Sequence, residues 1–270
     1  MKRILTLAAF SLLLSLTACE LFEFDNYDEP DARVYGRLID AGTGDNVGVE
    51  CFSRASGSYW TGYTYTYFGV LTVVEQDWDA QADQTWNVMF NGTYTNNRVF
   101  AGKYVMSTKN LPCYLQEETF TLKKGDNEQN FTVTPFARVV NPQFSYDSST
   151  KKIKATFKVE LGDATKANTI ASVIFCAYTD CHVCRNYNLC ANDPGASAAN
   201  VKDGDTITLE IDTTLAANNE EFKYSRDHYL RIAVLANGNN YNGSANYNFS
   251  ETYVMSSDFQ KVDKFNWNNQ

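Results

Sequence analysis

Apolar and polar positions alternate with a period of two along most of the chain, the spacing of half-buried β-strands rather than of helices. In the first half this pattern predicts strands at 34–40, 70–75, 85–90, 99–106, 119–122 and 130–134. In the second half it predicts strands at 143–146, 152–161, 171–178, 205–212, 228–236 and 244–254. Residues 171–178 are more continuously apolar, as a central strand would be. Turn chemistry separates the runs: Gly42-Thr43-Gly44-Asp45, Asp147-Ser148-Ser149 and Asn237-Gly238. Asn91-Gly92 is the strongest short hairpin signal in the chain. Pro135 and Pro142 bracket a stretch that ends one strand series before another begins, and it reads as a domain boundary. The expected fold is all-β: two tandem β-sandwich domains at 32–137 and 138–270, the second immunoglobulin- or fibronectin-like.

The first thirty residues break the pattern. Lys2 and Arg3 precede an apolar run over 4–16, which is too short to span a bilayer as a helix. Leu16-Thr17-Ala18-Cys19 follows and resembles the lipobox of bacterial lipoproteins. Residues 1–18 therefore read as a secretory signal. The resemblance implies a lipid on Cys19 and an anchor in the outer membrane. Glu20, Glu23, Asp25, Asp28, Glu29 and Asp31 make 19–31 an acidic tether. The tether resembles the export signals that send some Bacteroidetes lipoproteins to the cell's outer face.

Charge narrows the partners. The chain has 23 Lys and Arg against 32 Asp and Glu, a formal net charge of −9. Removing the signal with its two cations leaves it more acidic still. Such a balance argues against nucleic acid and against anionic lipid head groups. Aromatics reach 14%, with 17 Tyr, a type that suits both half-buried strands and surfaces that stack on flat ligand faces.

With Cys19 lipidated, six cysteines remain: Cys51, Cys113, Cys176, Cys181, Cys184 and Cys190. An even count in an exported chain favours disulfides, and Cys51 with Cys113 is the economical pair. Cys176, Cys181, Cys184 and Cys190 crowd around Cys181-His182-Val183-Cys184. Local disulfides, free thiols or a tetrahedral zinc site are all open to them. His182 offers a further ligand, but adjacency to Cys181 is expected to limit how both reach one ion. His182 and His228 are the only histidines, and His228 reads as structural. A hydrolytic triad lacks material, and no phosphate- or dinucleotide-binding loop occurs. No catalytic residue and no cofactor is expected, and the protein reads as a non-enzyme.

Aromatic loops are the better lead. Residues 58–68 hold Tyr59, Trp60, Tyr63, Tyr65, Tyr67 and Phe68. On a strand Tyr63, Tyr65 and Tyr67 share a face, which either enters the core or presents rings to a sugar chain. Tyr59 and Trp60, flanked by Gly and Ser, are expected to be exposed. Tyr241 sits in a second polar loop rich in Asn and Gly.

A family resemblance joins these features. Asp25-Asn26-Tyr27-Asp28-Glu29-Pro30, the Tyr35-Gly36-Arg37 strand and Thr43-Gly44 resemble the start of a Bacteroidetes lipoprotein family of unknown function. Asn91-Gly92-Thr93-Tyr94, Val99-Phe100-Ala101-Gly102-Lys103-Tyr104 and Phe131-Thr132-Val133-Thr134-Pro135-Phe136 resemble its core and closing strand. The resemblance implies a prealbumin-like, carboxypeptidase-regulatory type of first domain and an immunoglobulin-like second. It also implies a genomic place beside SusC/SusD-type glycan-uptake proteins. The expected function is a surface lipoprotein that binds polysaccharide or oligosaccharide for such a system. The alternative is a structural lipoprotein that contacts partner outer-membrane proteins.

Overall fold

The computed structural model describes residues 28–50, 53–58, 62–67, 69–166, 169–185, 195–215, 222–237, 240–241 and 244–267. For 53–58, 62–67, 240–241 and 244–245 the description is of the backbone. Among the described residues no helix is long and apolar enough to cross a membrane, which leaves β-barrel spanning unaddressed.

The first half contributes β1 (Ala32–Asp40), β2 (Ser53–Ser58), β3 (Gly62–Tyr67), β4 (Val70–Glu75), β5 (Asp83–Asn87), β6 (Thr93–Val99), β7 (Gly102–Ser107), β8 (Glu117–Leu122), β9 (Gly125–Glu128) and β10 (Phe131–Val133). One sheet runs β10-β1-β6, with β9 also on β1, and a second runs β5-β4-β7-β8. Between them Trp86, Tyr94, Tyr104, Phe120 and Phe131 form a buried aromatic cluster with ring centroids 5.3–6.1 Å apart. Its tyrosines keep their hydroxyls satisfied: Tyr94 donates to the Gln129 carbonyl and Tyr104 to the Phe100 carbonyl. Burial raises both phenol pKa values above the ordinary range.

The second half contributes β11 (Ala137–Asp147), β12 (Lys152–Leu161), β13 (Ile170–Tyr178), β14 (Ser197–Ala199), β15 (Thr206–Asp212), β16 (His228–Ala236), β17 (Asn240–Tyr241), β18 (Ser244–Ala245), β19 (Asn248–Phe249), β20 (Tyr253–Met255) and β21 (Val262–Lys264). Sheets β11-β12-β15 and β14-β13-β16-β20-β21 pack over a core of Ile153, Phe157, Val173, Phe175, Ile211, Leu230 and Ile232. The fold is all-β and sandwich-like in both halves. His228 is fully buried, with its ring stacked by Phe222 and Phe259.

Three local expectations change. Asn91-Gly92 makes its turn, with Gly92 at φ 78°, yet it joins strands of different sheets. β5 pairs with β4 and β6 with β1, so only the single Val88–Tyr94 bridge spans the turn. The run at 99–106 is two strands, because Phe100 and Ala101 carry the chain from β6 to β7 in the opposite sheet. β11 begins at Ala137 and passes through Pro142, whose missing N–H is absorbed by a register shift between Val140 and Gln143.

The two sets of sheets meet at a tight joint. Fully buried Arg231 of β16 donates to the Ser250 carbonyl (2.8 Å) and, across the joint, to the carbonyls of Val49 (3.3 Å) and Phe90 (2.5 Å). Its guanidinium lies against the rings of Phe90 and Phe249. Desolvation lowers its pKa to about 10, and the buried Glu50 carboxylate acts in the opposite direction. The chain passes close by at Gly48, where a Cβ would come within 2.5 Å of the Phe249 carbonyl oxygen and 2.7 Å of an Arg231 nitrogen. Arg138 grips Asp40 through two 2.7 Å bonds, and Asn248 donates to the Pro112 carbonyl.

Candidate functional site

Several residues singled out from sequence lie outside the described residues: Cys19, Cys51, Tyr59, Trp60 and Cys190. Tyr63 and Tyr65 lie in β3, which pairs with β2 alone. In that ladder Tyr63, Tyr65 and Tyr67 oppose Gly57, Ala55 and Ser53. Tyr241 opposes Ser244 in a second isolated two-stranded ribbon. Among the described residues there is no disulfide. Cys113 is a buried free thiol, its pKa raised by burial, and Cys51, its expected partner, lies outside the described residues. Cys176 and Cys184 are fully buried and Cys181 nearly so.

A further site lies away from the dense aromatic runs of the sequence. Where β4 ends, Gln76, Asp77 and Trp78 turn back beside the start of β7, and residues 28–31 cross in front on their way into β1. Asp28, Glu29, Asp31, Glu75, Asp77, Trp78, Phe100 and Ala101 line a groove of about 390 Å³. Trp78 is 36% exposed and held edge-on against Phe100, with ring centroids 5.6 Å apart.

Three of the five carboxylates that line the groove are held in place by bonds within the chain. Asp77 Oδ2 accepts from the Lys103 N–H at 2.8 Å, and Gly102 allows that approach, since a Cβ there would lie 2.7 Å from the same oxygen. Asp31 Oδ1 accepts from the Ala101 N–H at 2.8 Å, and Lys124 pairs with its other oxygen. The Ala101 N–H, then Lys124, hold the Asp31 carboxyl below its ordinary pKa. Glu75 accepts from Gln84 and, at 3.0 Å, shares the single hydroxyl hydrogen of Tyr104 with the Phe100 carbonyl. The result is a fixed indole face beside fixed hydrogen-bond acceptors. An apolar ring face with oriented carboxylates can stack on a sugar's C–H face and accept its hydroxyls.

A larger cleft of about 420 Å³ lies at the joint, lined by Asp45, Asn46, Asn141, Gln143, Glu251 and Lys264 among others. It is polar, and Lys264 pairs with Glu251 at its edge. Its aromatics are committed elsewhere: Phe249 is buried against Arg231, and Tyr253 packs on Phe144 at 4.9 Å. It offers acceptors and donors but no ring for stacking.

The whole described architecture recurs in solved structures. A Bacteroides uniformis protein described as a "putative carbohydrate binding protein" is 28% identical, with a TM-score of 0.68 over 84% of this chain and 99% of its own. A DUF3823 family protein from Parabacteroides merdae is 20% identical, with a TM-score of 0.63 over 83% and 98%. Another from Bacteroides ovatus is 18% identical, with a TM-score of 0.63 over 84% and 99%. The chain has the DUF3823 fold. No protein-family model and no curated protein sequence matches it.

Proposed function

We propose that this protein binds carbohydrate without transforming it, as a lipid-anchored, cell-surface accessory of a SusC/SusD-type glycan-uptake system. The observation that carries the binding role is the half-exposed Trp78 ring set among the fixed carboxylates of Asp31, Glu75 and Asp77. The carbohydrate-binding description of the Bacteroides uniformis relative supports the same ligand class. The anchor rests on the Cys19 lipobox and the tether on the acidic residues that follow.

Affinity electrophoresis of the full chain against a panel of plant and host polysaccharides tests the reading. Retardation by at least one polysaccharide, lost in Trp78→Ala, is expected. No retardation by any of them, together with a stable complex recovered with outer-membrane proteins, would establish the structural role instead.

A further inference from the structure

The turn after β13 holds a second arrangement, unrelated to sugar. Asp180, Cys181 and His182 are consecutive, and one ligand atom from each lies within 4.8 Å of the others. Adjacency in the sequence is expected to limit how Cys181 and His182 reach one ion. The backbone turn overrules that: Cys181 Sγ sits 3.6 Å from His182 Nδ1. Two ligands of one tetrahedral zinc, at about 2.3 Å for sulfur and 2.1 Å for nitrogen, would stand roughly 3.6 Å apart.

We propose that Asp180, Cys181 and His182 form a binding site for a thiophilic divalent cation of the zinc type. One donor is set in advance and a second lies close by. The His182 ring is wedged edge-on between Phe90 (5.2 Å) and Trp267 (5.9 Å). The Asp180 carboxylate is drawn over the turn by the His182 N–H at 2.8 Å. Asp180 Oδ1 now stands 2.6 Å from Nδ1, and ion binding requires this to open to roughly 3.4 Å. The Asp180 side chain is 56% exposed and can swing by that amount. Cys181 lies beneath, 4% exposed, so an ion arriving from solvent meets the oxygen and nitrogen first and the sulfur last. On binding, the Cys181 thiol loses its proton to solvent, the Nδ1 hydrogen that His182 donates to Asp180 is given up with the ring keeping its hydrogen on Nε2, and the freed Nδ1 and the carboxylate complete three ligands, with water as the fourth. Cys184 packs into the joint with Phe90, Ala233, Tyr247 and Phe249 and is not needed.

Because Phe90 belongs to the first half of the chain and the ligand turn to the second, an ion here would tighten the joint. Chelator-stripped full chain should be titrated with Co²⁺, followed by Zn²⁺ competition. A thiolate-to-cobalt charge-transfer band is expected, together with a melting temperature raised by Zn²⁺. Cys181→Ser should lose the band, and His182→Ala should weaken Zn²⁺ binding by at least about tenfold. Absence of the band, its survival in Cys181→Ser, or Cys181 found in a disulfide in the protein as isolated would overturn the proposal. Should Cys181→Ser not fold, the exposed variants His182→Ala and Asp180→Asn decide, and unchanged affinity in both overturns it.

Discussion

The joint and the Trp78 groove use the same chemistry to opposite ends. At the joint, Arg231, Arg138 and Asp40 spend their charge on partners within the chain. Arg231 is fully buried, and the carbonyls it touches would be left in a dry setting without it. In the groove, Asp77 is tied to the backbone by one oxygen alone and Asp31 by one oxygen with Lys124 on the other, while the side of the cluster beside Trp78 stays open to solvent. Burial turns charge into a structural rivet; partial exposure with fixed orientation leaves it able to recognise something else. Substitutions at the joint should therefore change stability, and loss of the Trp78 ring in the groove should chiefly change binding.

The largest effect is expected at Arg231. Arg231→Met strands the Val49, Phe90 and Ser250 carbonyls and the nearby Glu50 carboxylate, and removing one partner from such a network costs about 3–5 kcal/mol. Chemical denaturation checks this, and a loss under about 1 kcal/mol would mean that the joint relaxes or hydrates freely. Gly48→Ala drives a methyl into the Phe249 carbonyl and should cost about 1–3 kcal/mol in the same assay.

At the groove the signature reverses. Trp78→Ala should lower polysaccharide affinity about tenfold or more, equivalent to roughly 1.4 kcal/mol of binding, while unfolding shifts by under about 1 kcal/mol. The smallest effect concerns acid. The Asp31 carboxyl is held below its ordinary value of 3.8, so its folded pKa lies under its unfolded one. The stabilising contribution of this tie is present in full above the unfolded pKa and is lost only as pH falls through the lower folded value. The Ala101 amide signal in NMR should therefore keep its bonded shift at pH 3.8, where an ordinary aspartate is half protonated. A midpoint at 3.8 would remove the claim that this carboxylate is locked.

Much of the fold was legible because alternation is a local signal. The runs at 152–161 and 228–236 correspond to β12 and β16 residue for residue. What failed was sheet membership. Asn91-Gly92 announces a tight turn, but nothing within a few residues says whether the next strand pairs back or crosses to the other sheet. Phe100 and Ala101 are apolar like their neighbours, so the break between β6 and β7 carried no polar mark. The site was partly visible: Asp77-Trp78-Asp79 directly after a clean strand is an aromatic in an acidic turn. What no local pattern carried was the approach of residues 28–31 and of Lys103, which comes from sheet pairing. Arg231 was hidden for a like reason, because an arginine within an apolar strand takes its meaning from carbonyls far away in the sequence.

The most direct test of the account compares Trp78→Ala with a Tyr63→Ala/Tyr65→Ala double variant for affinity to a polysaccharide that the unmodified chain retains, with unfolding midpoints measured alongside. The account predicts that the tryptophan variant loses binding at an unchanged midpoint, while the hairpin variant keeps most of it. Full binding in Trp78→Ala, with loss confined to the tyrosine variant, would contradict it and move the site to the β2–β3 hairpin.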